Sequence, residues 1–108
     1  MKLLNEEVLM QFKLVGDQSE LKDPIVICKF FNPTGAGTWF ATEYNEEEQI
    51  FFGYVSIFGD HCDEWGYFSL SELESFVGRF GLGIERDLYF SQLKFSEVAK
   101  RYSLKIYA

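Results

Sequence analysis

The sequence predicts an α+β domain in which one mainly antiparallel, twisted sheet of about five strands carries two or three helices on its faces. Residues 38–44 and 50–58 are rich in aromatic and β-branched side chains, and the polar stretch between them indicates a β-hairpin. Residues 6–15 instead repeat apolar side chains at helical spacing. Because the chain has 108 residues, we expect a single domain over residues 1–108.

The first predicted element is a helix over Glu6–Val15. Asn5 stands where an N-cap is needed, and Gly16 stands where the helix can end. The side chains that we expect to pack on the sheet are Val8, Leu9 and Phe12.

Residues 25–31 form a nearly continuous apolar run, which predicts a strand that is central or covered on both faces. The hairpin that follows lacks an Asn-Gly or Asp-Gly pair, so we expect a loop of about four or five residues. Its second strand, residues 50–58, is apolar on both faces and should lie inside the sheet. Gly53 in the middle of that strand predicts a bulge or a close approach by another element.

Residues 65–70 predict a fourth strand that leads into a second helix. Ser69 and Ser71 each precede an acid by three residues, so either serine can open a capping box. We expect this helix to end near Phe76 or Val77. Its predicted buried stripe is Leu70, Leu73, Phe76 and Val77.

The remaining predicted elements are a fifth strand over residues 84–90 and a third helix. Ser96 is the expected N-cap of that helix, which should end near Tyr102. Residues 104–107 are either a last short strand or a tail.

Strict alternation along the strands predicts how Glu43 and Arg86 are placed. In the first hairpin strand one face carries Phe40, Thr42 and Tyr44, and the other carries Trp39, Ala41 and Glu43. In the fifth strand Arg86 falls on an apolar face, where a charged side chain needs a partner. We expect Glu43 to be that partner. The pair is either a structural ion pair or part of a site that binds an anion or a partner.

Residues 60–64 gather potential metal ligands, among them Asp60, His61 and Cys62. A structural zinc site takes about four ligands, usually from two separated pairs. These ligands are adjacent in sequence and no second cluster exists, so we expect a solvated loop, no metal and no cofactor. The acidic run at residues 46–48 similarly predicts a solvated hairpin tip.

Catalysis has few candidates, because the chain has one histidine and a nucleophile needs an oriented base. We therefore expect a non-enzymatic binding or interaction domain. The alternative is a small enzyme whose carboxylates meet an arginine in a cleft. Convergence of Glu43, Glu85 and Arg86 would favour that enzyme.

The formal net charge of −7 disfavours direct contact with nucleic acid, which needs a basic patch, and with an anionic membrane surface. The expected partner is a protein, in particular a basic one. A special case is an acidic decoy that imitates nucleic acid, whose acids must form one continuous face.

Neither a signal peptide nor a membrane span is apparent, and Cys28 and Cys62 require no bridge, so we expect a cytoplasmic protein.

Several segments in order carry a resemblance: residues 22–24, 38–44, 51–53, 66–74 and 83–90. Together they resemble a bacterial single-domain family of unknown function whose members are frequent on plasmids, phages and integrative elements. The resemblance extends over roughly residues 21–90. It implies no activity, and residues 61 and 62 lie outside its pattern.

The sequence thus predicts an interaction surface near Glu43, Arg86 and Asp87, in which Trp39 and Tyr67 supply aromatic contacts. The resemblance adds the expectation that such a surface serves the dealings of a mobile element with its host.

Overall fold

The computed structural model describes residues 2–57 and 62–104, in which three α-helices and seven strands are formed. In chain order they are α1 (Glu6–Val15), β1 (Ile25–Val26), β2 (Cys28–Phe31), β3 (Thr38–Asn45), β4 (Ile50–Ser56), β5 (Glu64–Ser69), α2 (Leu70–Ser75), β6 (Glu85–Arg86), β7 (Leu93–Lys94) and α3 (Phe95–Arg101). A five-stranded antiparallel sheet has the order β5-β4-β3-β2-β6, and β1 pairs with β7 in a separate two-stranded sheet. The predicted α+β class is confirmed.

Helix α1 has the predicted bounds because both of its ends are capped. The Asn5 side chain accepts a hydrogen bond of 2.8 Å from the Val8 amide. At the other end Gly16 takes φ 70° and donates its N–H to the Phe12 carbonyl. Val8 and Phe12 are buried, which confirms the predicted face.

Helices cover both faces of the five-stranded sheet. On one face α1 and α2 contribute Phe12 and Leu73 to a core that also contains Phe51. On the other face α3 contributes Val98 to a second core with Tyr54. Strand β4 supplies a buried side chain to each core, which confirms the prediction that it lies inside the sheet.

A β-bulge at Thr42 changes the face assignment within β3. Ala41 pairs with Gly53, but Glu43 already pairs with Phe52, so Thr42 is the additional residue. A Cβ atom on Gly53 would collide with the Phe40 carbonyl oxygen, so only glycine fits there. Gly53 therefore marks both of the features that the sequence predicted for it.

The bulge makes the predicted alternation of β3 wrong beyond Ala41. Tyr44 lies on the face of Phe51 and joins the core that contains α1. Glu43 lies on the opposite face beside Phe52. One inserted residue shifts every following side chain to the other face, and it moves Glu43 away from the face of Trp39 and Ala41.

Gln18, which is 3 % exposed, holds the bulge in place. Its Nε2 donates to the Thr42 carbonyl (2.8 Å) and to the Ile25 carbonyl (2.9 Å). Its Oε1 accepts the Ile25 N–H at 2.6 Å. The prediction of one continuous strand over residues 25–31 is therefore wrong. Gln18 forms hydrogen bonds with the backbone N–H and C=O of Ile25, and the chain divides into β1 and β2 on either side of Ile27.

The hairpin has the expected form. Residues 46–49 connect β3 and β4, so the loop has four residues, as predicted. Glu47 and Glu48 are exposed at its tip, and Glu46 forms an ion pair of 3.2 Å with Lys13.

The predicted fifth strand is much shorter than residues 84–90, because β6 contains only Glu85 and Arg86. The Asp87 N–H still donates to the Lys29 carbonyl at 2.9 Å. The Asp87 carboxylate then accepts the Tyr89 N–H at 2.9 Å, which forms a local turn that competes with the strand. Tyr89 is consequently 98 % exposed.

Helix α2 begins as predicted and ends early. The Ser69 hydroxyl accepts the Glu72 N–H at 3.1 Å, whereas Ser71 lies within the helix. Phe76 is the C-cap, and it and Val77 are 41 % and 71 % exposed. The predicted buried stripe is therefore wrong in its second half.

Helix α3 begins at Phe95, so the prediction that Ser96 is its N-cap is wrong. Asp23, from the loop before β1, performs the capping instead. Its two carboxylate oxygens accept the Ser96 N–H at 2.8 Å and the Ser96 hydroxyl at 2.6 Å. These bonds lower the pKa of Asp23 below its ordinary value.

Some predictions concern residues outside the described ranges. They include Phe58 at the end of the hairpin, the candidate ligands Asp60 and His61, and residues 105–107. Within the ranges that are described, no helix combines the length and hydropathy that crossing a membrane demands.

Candidate functional site

The five predicted site residues occupy three separate places. Glu43 and Tyr67 line one groove on the face of the sheet that carries α3. Arg86 and Asp87 line a small cleft of about 140 Å³ beside α1. Trp39 lines a third depression on the opposite face, next to α2. The structure therefore brings together Glu43 and Tyr67, and separately Arg86 and Asp87.

We name the first of these places the aromatic groove. It consists of two adjoining depressions of about 370 Å³ and about 800 Å³, which share Glu43, Phe52 and Tyr67. Its further lining comes from Phe12 and Lys13 of α1, from the ends of β3 and β4 with the hairpin loop, from Trp65, and from the loop between α1 and β1. The groove is large enough to hold amino-acid side chains from a binding partner.

Three rings on the adjacent strands β4 and β5 form the floor of the groove. Phe52 and Trp65 are nearly parallel, with an interplanar angle of 14° and 6.0 Å between ring centroids. Phe52 and Tyr67 meet at 63° with 5.0 Å between centroids. The two arrangements give a flat floor and a corner, and Tyr67 at that corner is 79 % exposed.

The groove is open because α3 covers only part of this sheet face. Phe95 at the start of α3 packs on Tyr54 and on Trp65, with centroid distances of 5.1 Å and 4.6 Å. Helix α3 has seven residues, which is a length of roughly 10 Å at the usual rise per residue. Phe52 and Tyr67 lie beyond it and remain accessible on this face.

The charged side chains of the groove are mainly acidic. Asp17, Glu43 and Glu48 contribute carboxylates, and Lys13 and Lys22 contribute ammonium groups. The Lys13 charge is balanced outside the groove by Glu46. The Asp17 carboxylate accepts the Ser19 N–H, which lowers the pKa of Asp17.

The predicted ion pair between Arg86 and Glu43 is wrong. Arg86 pairs in register with Phe30, which belongs to the core under α1, whereas Glu43 pairs with Phe52 on the other face. The Arg86 guanidinium donates a hydrogen bond of 2.6 Å to the Leu3 carbonyl. Arg86 thus fastens the segment before α1 to the sheet edge.

Asp87 is engaged by Lys29, the residue that interrupts the apolar run of β2. Their ammonium and carboxylate groups are 3.3 Å apart, and their side chains are only 16 % and 21 % exposed. The Lys29 ammonium also lies 4.5 Å from the ring centroid of Tyr102. This filled site shows how the molecule itself holds a cation, between a carboxylate and an aromatic ring.

Among the described residues, the residue clusters expected for a small enzyme and for a nucleic-acid decoy are not formed. Glu43 and Arg86 lie on opposite faces, so the cleft in which they would converge with Glu85 is absent from the described residues. A nucleic-acid decoy needs its acids on one continuous face, but Glu43 faces the groove, whereas Glu72 is on α2 at the other face.

Residues 62–64, the described part of the predicted solvated loop, are only partly exposed. Asp63 is 7 % exposed, and its carboxylate accepts hydrogen bonds from the Ser56 hydroxyl (2.7 Å) and the Ile57 N–H (3.2 Å). Glu64 is the first residue of β5. Cys62 is exposed, whereas burial raises the pKa of the Cys28 thiol and suppresses its reactivity.

Phe52 and Trp65 are groove residues that the sequence analysis did not select. Both had been assigned to strands, and alternation places them on one face with Tyr67. The missing information was the face on which Glu43 lies. Gly53 was the available signal, because a glycine opposite an aromatic strand indicates a bulge, but it does not identify which residue is inserted.

The comparisons with known proteins agree with the extent of the fold. No curated protein and no solved structure matches the chain. Residues 3–102 match a family described as "Protein of unknown function (DUF2958)". This match includes every described strand and helix, from α1 to α3. The chain therefore belongs to that family of unknown function.

Proposed function

We propose that this protein is a non-enzymatic interaction domain that binds a basic segment of another protein in the aromatic groove. The observation that carries the proposal is the position of Glu43 beside the corner of Phe52 and Tyr67. A carboxylate next to exposed aromatic rings attracts a lysine or arginine side chain by charge and by the cation–π interaction.

Two properties of the described residues support a cationic ligand. Neither ion pair of the described residues involves Glu43, so within that part of the chain no lysine or arginine forms a salt bridge with it. The net charge of −7 also accelerates the approach of a basic partner and repels acidic ones. The site that Lys29 occupies between Asp87 and Tyr102 uses the same two kinds of group.

We further propose that the partner is a nucleic-acid-handling protein of the host of a bacterial mobile element, and that the binding takes place in the cytoplasm. The family resemblance supports the mobile element, and the basic surfaces of nucleic-acid-binding proteins suit an acidic groove. The two cysteines form no disulfide, which suits a reducing compartment.

A titration with hexa-arginine, followed by NMR chemical shifts at low salt, tests the groove. We expect the largest changes at Glu43, Phe52 and Tyr67, and weaker binding as salt is raised. The variants Glu43→Gln and Tyr67→Ala should each weaken binding by about fivefold, the equivalent of about 1 kcal/mol.

Matched control variants separate a specific site from general charge. Glu47→Gln removes the same charge from the exposed hairpin tip, and Tyr89→Ala removes a tyrosine that is 98 % exposed elsewhere. Both should bind hexa-arginine like the unaltered protein. Equal losses in Glu43→Gln and Glu47→Gln, or chemical-shift changes spread over the whole acidic surface, would contradict the groove.

A further inference from the structure

The outer edge of β5 carries backbone N–H and C=O groups that bond to no other strand of the described residues. The sheet order is β5-β4-β3-β2-β6, so β5 is a terminal strand, and among the described residues no strand pairs with its outer side. At six residues it is much longer than β6, the two-residue strand at the opposite edge. A long edge strand is a template for the addition of another strand.

The register identifies which groups point outward. The Leu70 N–H donates to the Gln49 carbonyl at 3.0 Å, one position beyond the pair of Ser69 with Ile50. Hydrogen-bonded pairs alternate with non-bonded pairs along an antiparallel ladder. Phe68, Gly66 and Glu64 therefore bond to β4. Trp65 and Tyr67 direct their N–H and C=O groups away from the sheet.

The same two residues place their side chains in the aromatic groove. In antiparallel pairing, residues directly opposite each other have their side chains on the same face. A strand that bonds to the outward groups of Trp65 and Tyr67 would therefore place its own bonding residues on the groove face. The edge and the groove thus form one continuous surface.

The usual protections of an edge strand are nearly absent from β5. It contains no proline and no lysine, and its only charged residue is Glu64 at its start. The composition of β5 therefore does not block the addition of another strand.

We propose that the basic partner segment adds to β5 as an extended antiparallel strand, with its basic side chains on the groove face. This inference rests on the proposed function and specifies how the ligand binds. The net charge of this protein favours a basic segment over a second copy of the same chain. A second copy also carries a net charge of −7 and is repelled. Addition of a strand to a sheet edge is an established mode of peptide recognition.

Two synthetic peptides of identical composition test the added strand. Both are eight-residue alternations of lysine and valine with blocked ends, one N-methylated at its valines and the other at its lysines. If lysines face the groove, the lysine N–H groups bond to β5 and the valine N–H groups point outward. We expect the valine-methylated peptide to bind and the lysine-methylated peptide to bind about tenfold or more weakly.

Amide hydrogen exchange shows whether the peptide binds along the outer edge of β5. The bound valine-methylated peptide should slow amide exchange at Trp65 and Tyr67 by about tenfold or more, with little change at Gly66, which already bonds to β4. No protein variant is needed, so misfolding cannot imitate a negative result.

Each alternative outcome has a defined meaning. Equal binding of both peptides, with hexa-arginine binding still dependent on Glu43, would overturn the added strand and leave the groove intact. Absence of binding by both peptides and by hexa-arginine would overturn the strand and the proposed function together. A dimer of the protein alone, with slow exchange at Trp65 and Tyr67, would contradict the choice of a basic partner over a second copy.

Discussion

At the scale of single residues, the face on which Glu43 lies is decided by Thr42 and Gly53. Thr42 is an additional residue in β3, so Glu43 and Phe52 share a face. The Thr42 hydroxyl donates to the Phe52 carbonyl at 3.1 Å, which satisfies a polar group that is almost fully buried. Gly53 allows the two strands to approach at this point. A carboxylate reaches the groove because of these local requirements.

Gly53→Ala should destabilise the protein by about 3 kcal/mol or more, because the new methyl group collides with backbone atoms of β3. Gly66→Ala is the matched control, since Gly66 is the partner of Gly53 on β5 and its Cβ position is open. The control should change stability by less than about 0.5 kcal/mol. Urea denaturation checks both values, and similar losses in the two variants would contradict the close approach at Gly53.

At the scale of elements, the loop between α1 and β1 connects parts of the fold that are distant in sequence. Gln18 links this loop to the bulge in β3, and Asp23 links it to the start of α3. The loop also supplies Leu21 and Lys22 to one wall of the groove. Its polar side chains therefore fix both the sheet and the helix that border the candidate site.

Gln18→Ala should lower the free energy of unfolding by about 2–4 kcal/mol. The substitution leaves the buried carbonyl of Thr42 without its donor and removes both bonds to Ile25. Gln92→Ala is the control, because Gln92 is exposed and its side chain donates to the Gln11 side chain across the surface. A loss in Gln18→Ala no greater than that in Gln92→Ala, measured by denaturation, would contradict the structural role of Gln18.

Asp23→Ala should lower stability at pH 7 by about 1 kcal/mol, the usual value of a helix cap. The pKa of Asp23 is lowered from its ordinary 3.8, so its contribution is present above about pH 4 and is lost as the pH falls below that value. The difference between the unaltered protein and the variant should therefore shrink towards pH 2. Glu20→Ala, an exposed charge in the same loop, should show no such convergence in thermal unfolding measured across this pH range.

At the scale of the whole molecule, the sequence predicts elements better than it predicts their relative placement. The bounds of α1 follow from Asn5 and Gly16, because both capping interactions are local. The sheet face on which Glu43 lies cannot be predicted from the sequence of β3, because nothing at Thr42 indicates an inserted residue. The consequence was an incorrect pairing with Arg86, although Glu43 does lie beside an apolar strand residue, Phe52.

A local turn and a capping interaction over a long sequence distance account for two other differences. Alternation favoured a strand through residue 90, but the Asp87 side chain forms its own turn with Tyr89. Ser96 has the composition of an N-cap, yet Asp23, which is 73 residues away, supplies the capping carboxylate. Local patterns cannot identify such partners. The aromatic groove likewise exists only once β3, β4, β5 and the loop before β1 have come together.

The most direct test is a nuclear Overhauser measurement on the side-chain protons of Glu43 in the unaltered protein. The bulge at Thr42 predicts contacts from Glu43 to the ring protons of Phe52, on the face that holds the groove. Contacts from Glu43 to the rings of Phe51 or Phe30 would place its carboxylate on the opposite face. That result would contradict the register of β3 and remove the basis for a cation-binding groove.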